Sequence, residues 1–404
     1  MTMLLLAGLC AGAARAQGGL TWQAAPAAPT DLDARFAQGV SASYAGVSDT
    51  LAWWAGGCNF PDVPAADGGK KAFYDEVLTL SLRTPDQGWR VVGRLPRAAA
   101  YGAAVALPDG LLCLGGQTAA GPGTAVWRLR LAPGGTGLRC DTLPALPVPM
   151  DNVCGALVGR RVYVAGGNQS GQASAAVYSL SLDAPAAGWQ AEPPMPGAPR
   201  TQAVAVGLRW HGEWCLYVFG GFAAARPGRP ASLSTSSLRY VPSARRWDVV
   251  AEPLDAAGRP VSLGGGAGYA VDDSTALCLG GVDAEVFLAA LRREAAAAAA
   301  ARAGDTAAVA RYKAAARRYM TQPPAAYRLN RNVMAYDAAR NRWTVVDRAE
   351  QAARAGAALA GRGRRFFWIN GELKPGIRTP EVWRCDWAPA ARPDDDRPAA
   401  RRNP

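Results

Sequence analysis

The 404-residue chain holds one histidine, His211. That scarcity removes catalytic triads built on histidine, two-histidine metal sites and copper-radical oxidase centres. A lone histidine is more often a structural or surface residue than a catalyst. Cysteine is sparse and scattered: eight residues, no CxxC pair, and seven if the first apolar stretch is removed. An odd, dispersed set is neither a disulfide framework nor a zinc site. Cys113, Cys215 and Cys278 fall inside apolar strand patterns, where a small buried hydrophobe is expected. No run of about 18 apolar residues follows the N-terminus, so no membrane insertion is expected. The formal charge is +12, from 44 Lys and Arg against 32 Asp and Glu. These basic residues are dispersed, with no basic helix and no stacking-aromatic motif. Nucleic acid is therefore a poor partner, and an anionic small molecule fits the excess better. Carboxylate, arginine, lysine and tyrosine remain as the available catalytic groups.

What is plentiful is glycine, 46 residues, and it is patterned. A short apolar run ending in a glycine pair recurs at Leu51 to Gly57, Leu111 to Gly116, Val162 to Gly167, Leu216 to Gly221 and Ala276 to Gly281. A sixth copy is altered, reading Phe366-Phe-Trp-Ile-Asn370-Gly371-Glu372. A second alternating run follows each pair, and in four units a tryptophan (Trp89, Trp189, Trp247, Trp343) opens a third run. Repeats spaced by roughly 50 to 60 residues match the kelch period. A unit with two apolar faces cannot bury them alone, so the units must stack. The expectation is all-β: a six-bladed kelch-type β-propeller spanning 17–387. The segment Leu20-Thr-Trp22-Gln resembles Trp189-Gln, so the N-terminal strand is expected to close the last blade. Sialidase-type propellers are disfavoured because no Ser-x-Asp-x-Gly-x-x-Trp box occurs.

Three segments stand outside the repeats. Residues 1–16 form an apolar stretch ending in Ala14-Arg15-Ala16, the small-x-small pattern of a signal peptide, so a periplasmic or secreted location is expected. Residues 284–322 are alanine-rich with charges at helical spacing, and Asp305 is placed as an N-cap. A helical insertion in the fifth blade is expected there, either as decoration or as a lid. Residues 388–404 are charged and proline-rich, the composition of a disordered tail.

The altered sixth copy carries the chemistry. Asn370 to Thr379 replaces a plain glycine pair with a charged loop holding Glu372, Lys374 and Arg378. In a four-stranded meander the loop after the second strand shares a face with the segment leading into the first. Arg97, Arg200 and Arg354 stand in three such lead-in segments. A carboxylate ringed by cations suits an acidic substrate and proton transfer. Equally, Glu372 and Arg378 could form nothing more than an internal salt bridge.

The stretch INGELKPGIRTPEV, Ile369 to Val382, resembles the signature of the N-acetylneuraminate epimerases, which are kelch-propeller sialic acid mutarotases. Tyr44 to Asp49, Ala100-Tyr101-Gly102, Pro199 to Gln202 and Tyr217 to Gly221 are similar to that family as well. The order differs: the glutamate motif stands near the end of this chain, as in a cyclically permuted branch. The resemblance implies that Glu372 is the catalytic glutamate and that Arg378 works beside it. It further implies Arg200 as a substrate-binding residue, with Lys374, Arg97 and Asn370 as further candidates. The implied reaction is anomer interconversion of an acidic sugar, N-acetylneuraminate foremost, by ring opening and closure, without a cofactor or a metal. A second reading stands beside it: a non-catalytic kelch module that binds a sugar or a protein.

Overall fold

The computed structural model describes residues 19–29 and 32–388. The segment 1–16, and the tail expected beyond Ala388, lie outside the described residues. The chain is mostly strands, with two α-helices among the described residues. The strands assemble into antiparallel four-stranded sheets, six in number among the described residues.

Sheet one comprises Tyr44–Ser48, Leu51–Asn59, Ala72–Ser81 and Arg90–Arg94. Sheet two follows with Ala103–Leu107, Gly110–Leu114, Val126–Leu131 and Leu138–Thr142. Sheet three runs over Cys154–Val158, Arg161–Ala165, Val177–Ser181 and Gln190–Glu192. Sheet four takes Val204–Trp210, Glu213–Phe219, Ser237–Val241 and Arg246–Val250. Sheet five takes Gly266–Ala270, Thr275–Gly280, Asn332–Asp337 and Arg342–Arg348. Sheet six combines Ala358–Arg362, Arg365–Ile369 and Val382–Ala388 with the N-terminal strand Gly19–Ala25, which pairs in register from Gly19 opposite Ala388 to Ala25 opposite Val382.

Each sheet is apolar on both faces because successive strand residues point to opposite sides. Trp53 and Trp54 show the consequence. Trp54 packs with Phe367 and Ile369 of sheet six, while Trp53 packs with Leu111 and Cys113 of sheet two. Four further apolar clusters lie between sheets two and three, three and four, four and five, and five and six. The outer edges are fastened by tryptophans. The indoles of Trp189, Trp247 and Trp343 donate to the carbonyls of Pro144, Pro193 and Ala251 at 2.8, 2.9 and 2.8 Å, each on the preceding unit. Trp22, on the N-terminal strand, donates instead to the carboxylate of Asp347 in sheet five at 2.7 Å.

The first strands are tied together by their lead-in residues. The amide of Ala42 donates to Gly356, Tyr101 to Ala42, Asn152 to Tyr101, Gln202 to Asn152, Gly265 to Gln202 and Gly356 to Gly265. The chain of bonds returns to its start. All six residues have positive φ, between 50° and 73°. Four of them are not glycine and hold a conformation that L-residues seldom adopt.

Between the second and third strands of sheet five, the chain forms α1, Ala284–Arg302, and α2, Thr306–Thr321. Both begin on an aspartate that satisfies a free backbone amide: Asp283 accepts from Val286 N at 2.9 Å and Asp305 from Ala308 N at 2.8 Å. Neither helix is long and apolar enough to cross a membrane.

Candidate active site on the lead-in face

In each unit the residue after the glycine pair, or after Asn370-Gly371 in sheet six, returns toward the lead-in segment. Cys58 bridges Ser41, Gln117 bridges Ala100, Asn168 pairs with Asp151, Phe222 bridges Thr201 and Glu372 bridges Ala355. In sheet five, Val282 N donates to Gly264 O. The same backbone position therefore carries six different side chains, and only Glu372 bears a charge. It opens a small ribbon in which Glu372–Lys374 pairs with Ile377–Arg378. Pro375 and Gly376 form its turn, with Gly376 at φ 81°, where a type II turn requires glycine.

Glu372 Oε1 lies 2.5 Å from Arg378 Nη2, with the Glu372 side chain 26% exposed and that of Arg378 2% exposed. Arg378 Nε donates to Ser41 Oγ at 3.0 Å, and its guanidinium carbon stands 5.0 Å from the Phe60 ring centroid. Nη1 is buried and makes no hydrogen bond of normal geometry. Burial works against the charge on Arg378, but the neighbouring Glu372 carboxylate and the Cys58 and Tyr101 groups outweigh it, and its pKa is raised. Arg378 is thus a fixed cation, and its ion pair holds one oxygen of the Glu372 carboxylate.

Tyr101 completes the cluster. Lys71 Nζ donates to its hydroxyl at 3.0 Å and lies 4.4 Å from its ring centroid. Burial, followed by the nearby Cys58 and Glu372, pushes the phenol well above its usual pKa, so it keeps its proton. Burial likewise raises Cys58, opposed by Arg378 and Lys71, leaving a neutral thiol. Above the carboxylate, a cavity of about 60 Å³ is lined by Phe287, Tyr319, Tyr327, Ala355, Glu372 and Lys374. Two contacts pin its helical roof: Lys374 Nζ donates to Gln322 O at 3.0 Å, and Arg317 pairs with Asp67 at 2.8 Å. Among the lead-in residues, a cavity of about 190 Å³ is lined by Ala42, Tyr101, Asn152, Gln202, Gly265 and Gly356.

A family model described as N-acetylneuraminate epimerase matches residues 9–133 and 143–391. The chain belongs to the N-acetylneuraminate epimerase family. Curated N-acetylneuraminate epimerases are similar to it. That of Yersinia pestis (strain Pestoides F) is 32% identical over 244 residues, 60% of this chain and 57% of the relative. That of Salmonella arizonae is 31% identical over 246 residues, 61% and 58% of the two chains. That of Haemophilus influenzae (strain PittEE) is 32% identical over 242 residues, 60% and 58%. The chain thus spans a little over half the length of the curated relatives it matches. A solved structure described as "Structure of YjhT" is 27% identical with a TM-score of 0.49, covering 62% of this chain and 67% of that one.

Within this epimerase-family chain the other sequence-derived candidates have definite places. Arg200 is 3% exposed and braces its own sheet, donating from Nη1 to Gly220 O at 3.2 Å and Ser236 Oγ at 3.1 Å. Asn370 is 1% exposed; its Oδ1 accepts from Val40 N at 3.2 Å and its Nδ2 donates to Glu381 O at 3.3 Å. Lys374 is spent on the α2 terminus, as above. Arg97 is exposed. Arg354 repeats the Arg200 brace, donating to Asn370 O at 2.9 Å and Glu381 Oε2 at 2.6 Å. His211 lies in an exposed hairpin turn of sheet four, edge-to-face with Trp210 at 4.3 Å between ring centroids. Of the residues named from sequence, the structure joins Glu372 and Arg378. It adds Ser41, Phe60, Lys71 and Tyr101, of which only Tyr101 had a sequence signal, in the Ala100-Tyr101-Gly102 motif.

Proposed function

We propose that this chain is a mutarotase that interconverts the anomers of an acidic sugar, most simply N-acetylneuraminate, on a six-bladed kelch-type propeller spanning 17–387. In this reading the six sheets are its blades and 284–322 is an insertion in the fifth. Family membership and the names of the curated relatives support the substrate. The observation that carries the chemistry is the Glu372–Arg378 pair, a part-exposed carboxylate fixed by a buried guanidinium.

Anomer exchange begins when a base takes the proton of the anomeric hydroxyl. The oxygen lone pair then forms the carbonyl, the bond from the anomeric carbon to the ring oxygen breaks, and the ring oxygen takes up a proton. Rotation about the exposed carbon–carbon bond and the reverse steps yield the other anomer. Glu372 Oε2 makes no hydrogen bond among the described residues, so it is the oxygen available to take and return that proton. Arg378 keeps the carboxylate aimed and stabilises charge developing on the substrate oxygen. A positioned acid–base group contributes roughly 10²–10⁴-fold, which is sufficient for a reaction that also runs unaided in water. Small-molecule pockets begin near about 300 Å³, so α1 and α2 have to shift to admit a sugar beside Glu372. No metal or cofactor enters these steps.

The test is exchange NMR on pure anomers. The wild-type chain is expected to exchange N-acetylneuraminate well above the buffer rate, and Glu372→Gln is expected to lose exchange while still binding. Exchange at the buffer rate with sugar bound would favour the binding-module reading. We also propose export of the chain; N-terminal sequencing of the protein recovered from the periplasm should begin just after Ala16.

A further inference from the structure

We infer that Lys71 is the residue that selects an acidic substrate at this site, an inference that rests on the acid–base role of Glu372. The argument is one of charge. Glu372 and Arg378 neutralise each other at 2.5 Å, and Arg378 spends its Nε on Ser41. An incoming carboxylate therefore meets a pair with no net charge whose outer member is itself negative. Two carboxylates sharing a site oppose each other unless another cation stands by.

Lys71 is that cation. Its ammonium lies 3.0 Å from the Tyr101 hydroxyl and 5.9 Å from the Phe60 ring centroid, the same ring that Arg378 approaches to 5.0 Å. The two cations flank one aromatic side chain. Among the described residues Lys71 has no acidic partner. The alternatives are committed elsewhere: Lys374 to a carbonyl of α2, Arg200 and Arg354 to the ends of the second strands. Tyr101 accepts from Lys71 and lies against Cys58 and Arg378, so it positions the ammonium. Its backbone is locked in the left-handed region at φ 62° by hydrogen bonds to Ala42 and from Asn152. Lys71, held by the Tyr101 hydroxyl and the Phe60 face, makes a seat for one carboxylate beside the reacting carbon. Lys71 is a binding residue in this scheme, and it takes no part in the proton transfer.

The experiment compares wild type, Lys71→Met and Lys71→Arg for exchange of N-acetylneuraminate and for its binding by calorimetry, with thermal melting to check folding. Loss of one charge-assisted contact should raise KM about 10-fold or more in the Met variant, with kcat nearly unchanged. The Arg variant should recover most of the affinity, and kcat/KM of the Met variant should depend less on salt. An unchanged KM in a folded Met variant, or an Arg variant no better than Met, overturns the inference. If wild type binds but does not exchange and Lys71→Met weakens binding, Lys71 stands and the Glu372 reading falls. If Glu372→Gln is inactive while Lys71→Met keeps the wild-type KM, the reverse holds. A wild type that neither binds nor exchanges the sugar removes both.

Discussion

Sheets four and six share one frame and differ in what they hang on it. Each has a buried lead-in arginine, Arg200 or Arg354, that donates to the carbonyl at the end of its second strand, Gly220 or Asn370. Each then makes a short ribbon, Phe222–Ala223 with Ser232–Leu233 or Glu372–Lys374 with Ile377–Arg378. At the matching position sheet four has Phe222, edge-to-face with Phe287 of α1 at 4.7 Å between ring centroids, whereas sheet six has Glu372 held by Arg378. Gly220 becomes Asn370 with little change in φ, 66° against 51°, because asparagine is among the residues that tolerate that region. One backbone solution thus supports an apolar prop for a helix in one place and an acid–cation pair in another. Chemistry here is a matter of side chains grafted on a repeated frame.

That contrast can be broken at several depths. The largest effect belongs to the position that differs: Glu372→Gln should cut anomer exchange roughly 10²–10⁴-fold in a protein that still folds but melts lower, because Arg378 loses its counter-charge, whereas Phe222→Ala should leave exchange within a small factor. The shared frame comes next. Arg354→Met removes the side-chain donor to Asn370 O and to the Glu381 carboxylate, which is itself 57% exposed, while Glu381 O keeps its bonds from Asn370. A loss of about 2 kcal/mol in chemical denaturation is expected, toward the lower range for hydrogen bonds to charged groups because of that exposure.

A third test uses alkali. Burial pushes Tyr217 of sheet four up to about 12, with the Arg239 contacts pulling the other way. The unfolded phenol titrates near 10, so between those values the folded state holds more protons than the unfolded chain. Stability from this group is complete below about pH 10 and is lost as pH rises toward 12. Its hydroxyl has no hydrogen-bond partner of normal geometry. Tyr217→Phe should therefore leave melting at pH 7 nearly unchanged and soften the alkaline fall, read by melting temperature against pH. Sheet six, whose second strand reads Arg-Phe-Phe-Trp-Ile, has no equivalent group to titrate. The smallest effect is Phe287→Ala, about 1 kcal/mol for a lost aromatic contact, seen as faster amide exchange at the start of α1.

Much of the frame is legible in sequence because it rests on residues with few substitutes. The glycine pairs mark strand ends since both members take positive φ, as at Gly115 and Gly116 with 60° and 102°. Trp22 could be matched to Trp189 because both perform one edge-fastening job. Glu372 stands out as the charged member of a set that is otherwise neutral. The rest was hidden for a physical reason: a guanidinium is written the same way whether it grips a ligand or a carbonyl. Arg200 and Arg354 are braces because a neighbouring strand end happens to fall within reach, and sequence spacing does not encode that. Lys71 comes from the long connection between Asn59 and Ala72, where no periodicity points at Tyr101.

The pairing of Gly19–Ala25 with Val382–Ala388 has a mechanical side. Gly19 sits opposite Ala388, so both outgoing chain ends leave from the same edge of the ribbon. Tension applied there would load its hydrogen bonds one after another, like a zip drawn from its open end, instead of shearing all of them together. This clasp should be the weak link of the hoop under a pulling force, yielding before any interface between sheets whose strands are joined by hairpins.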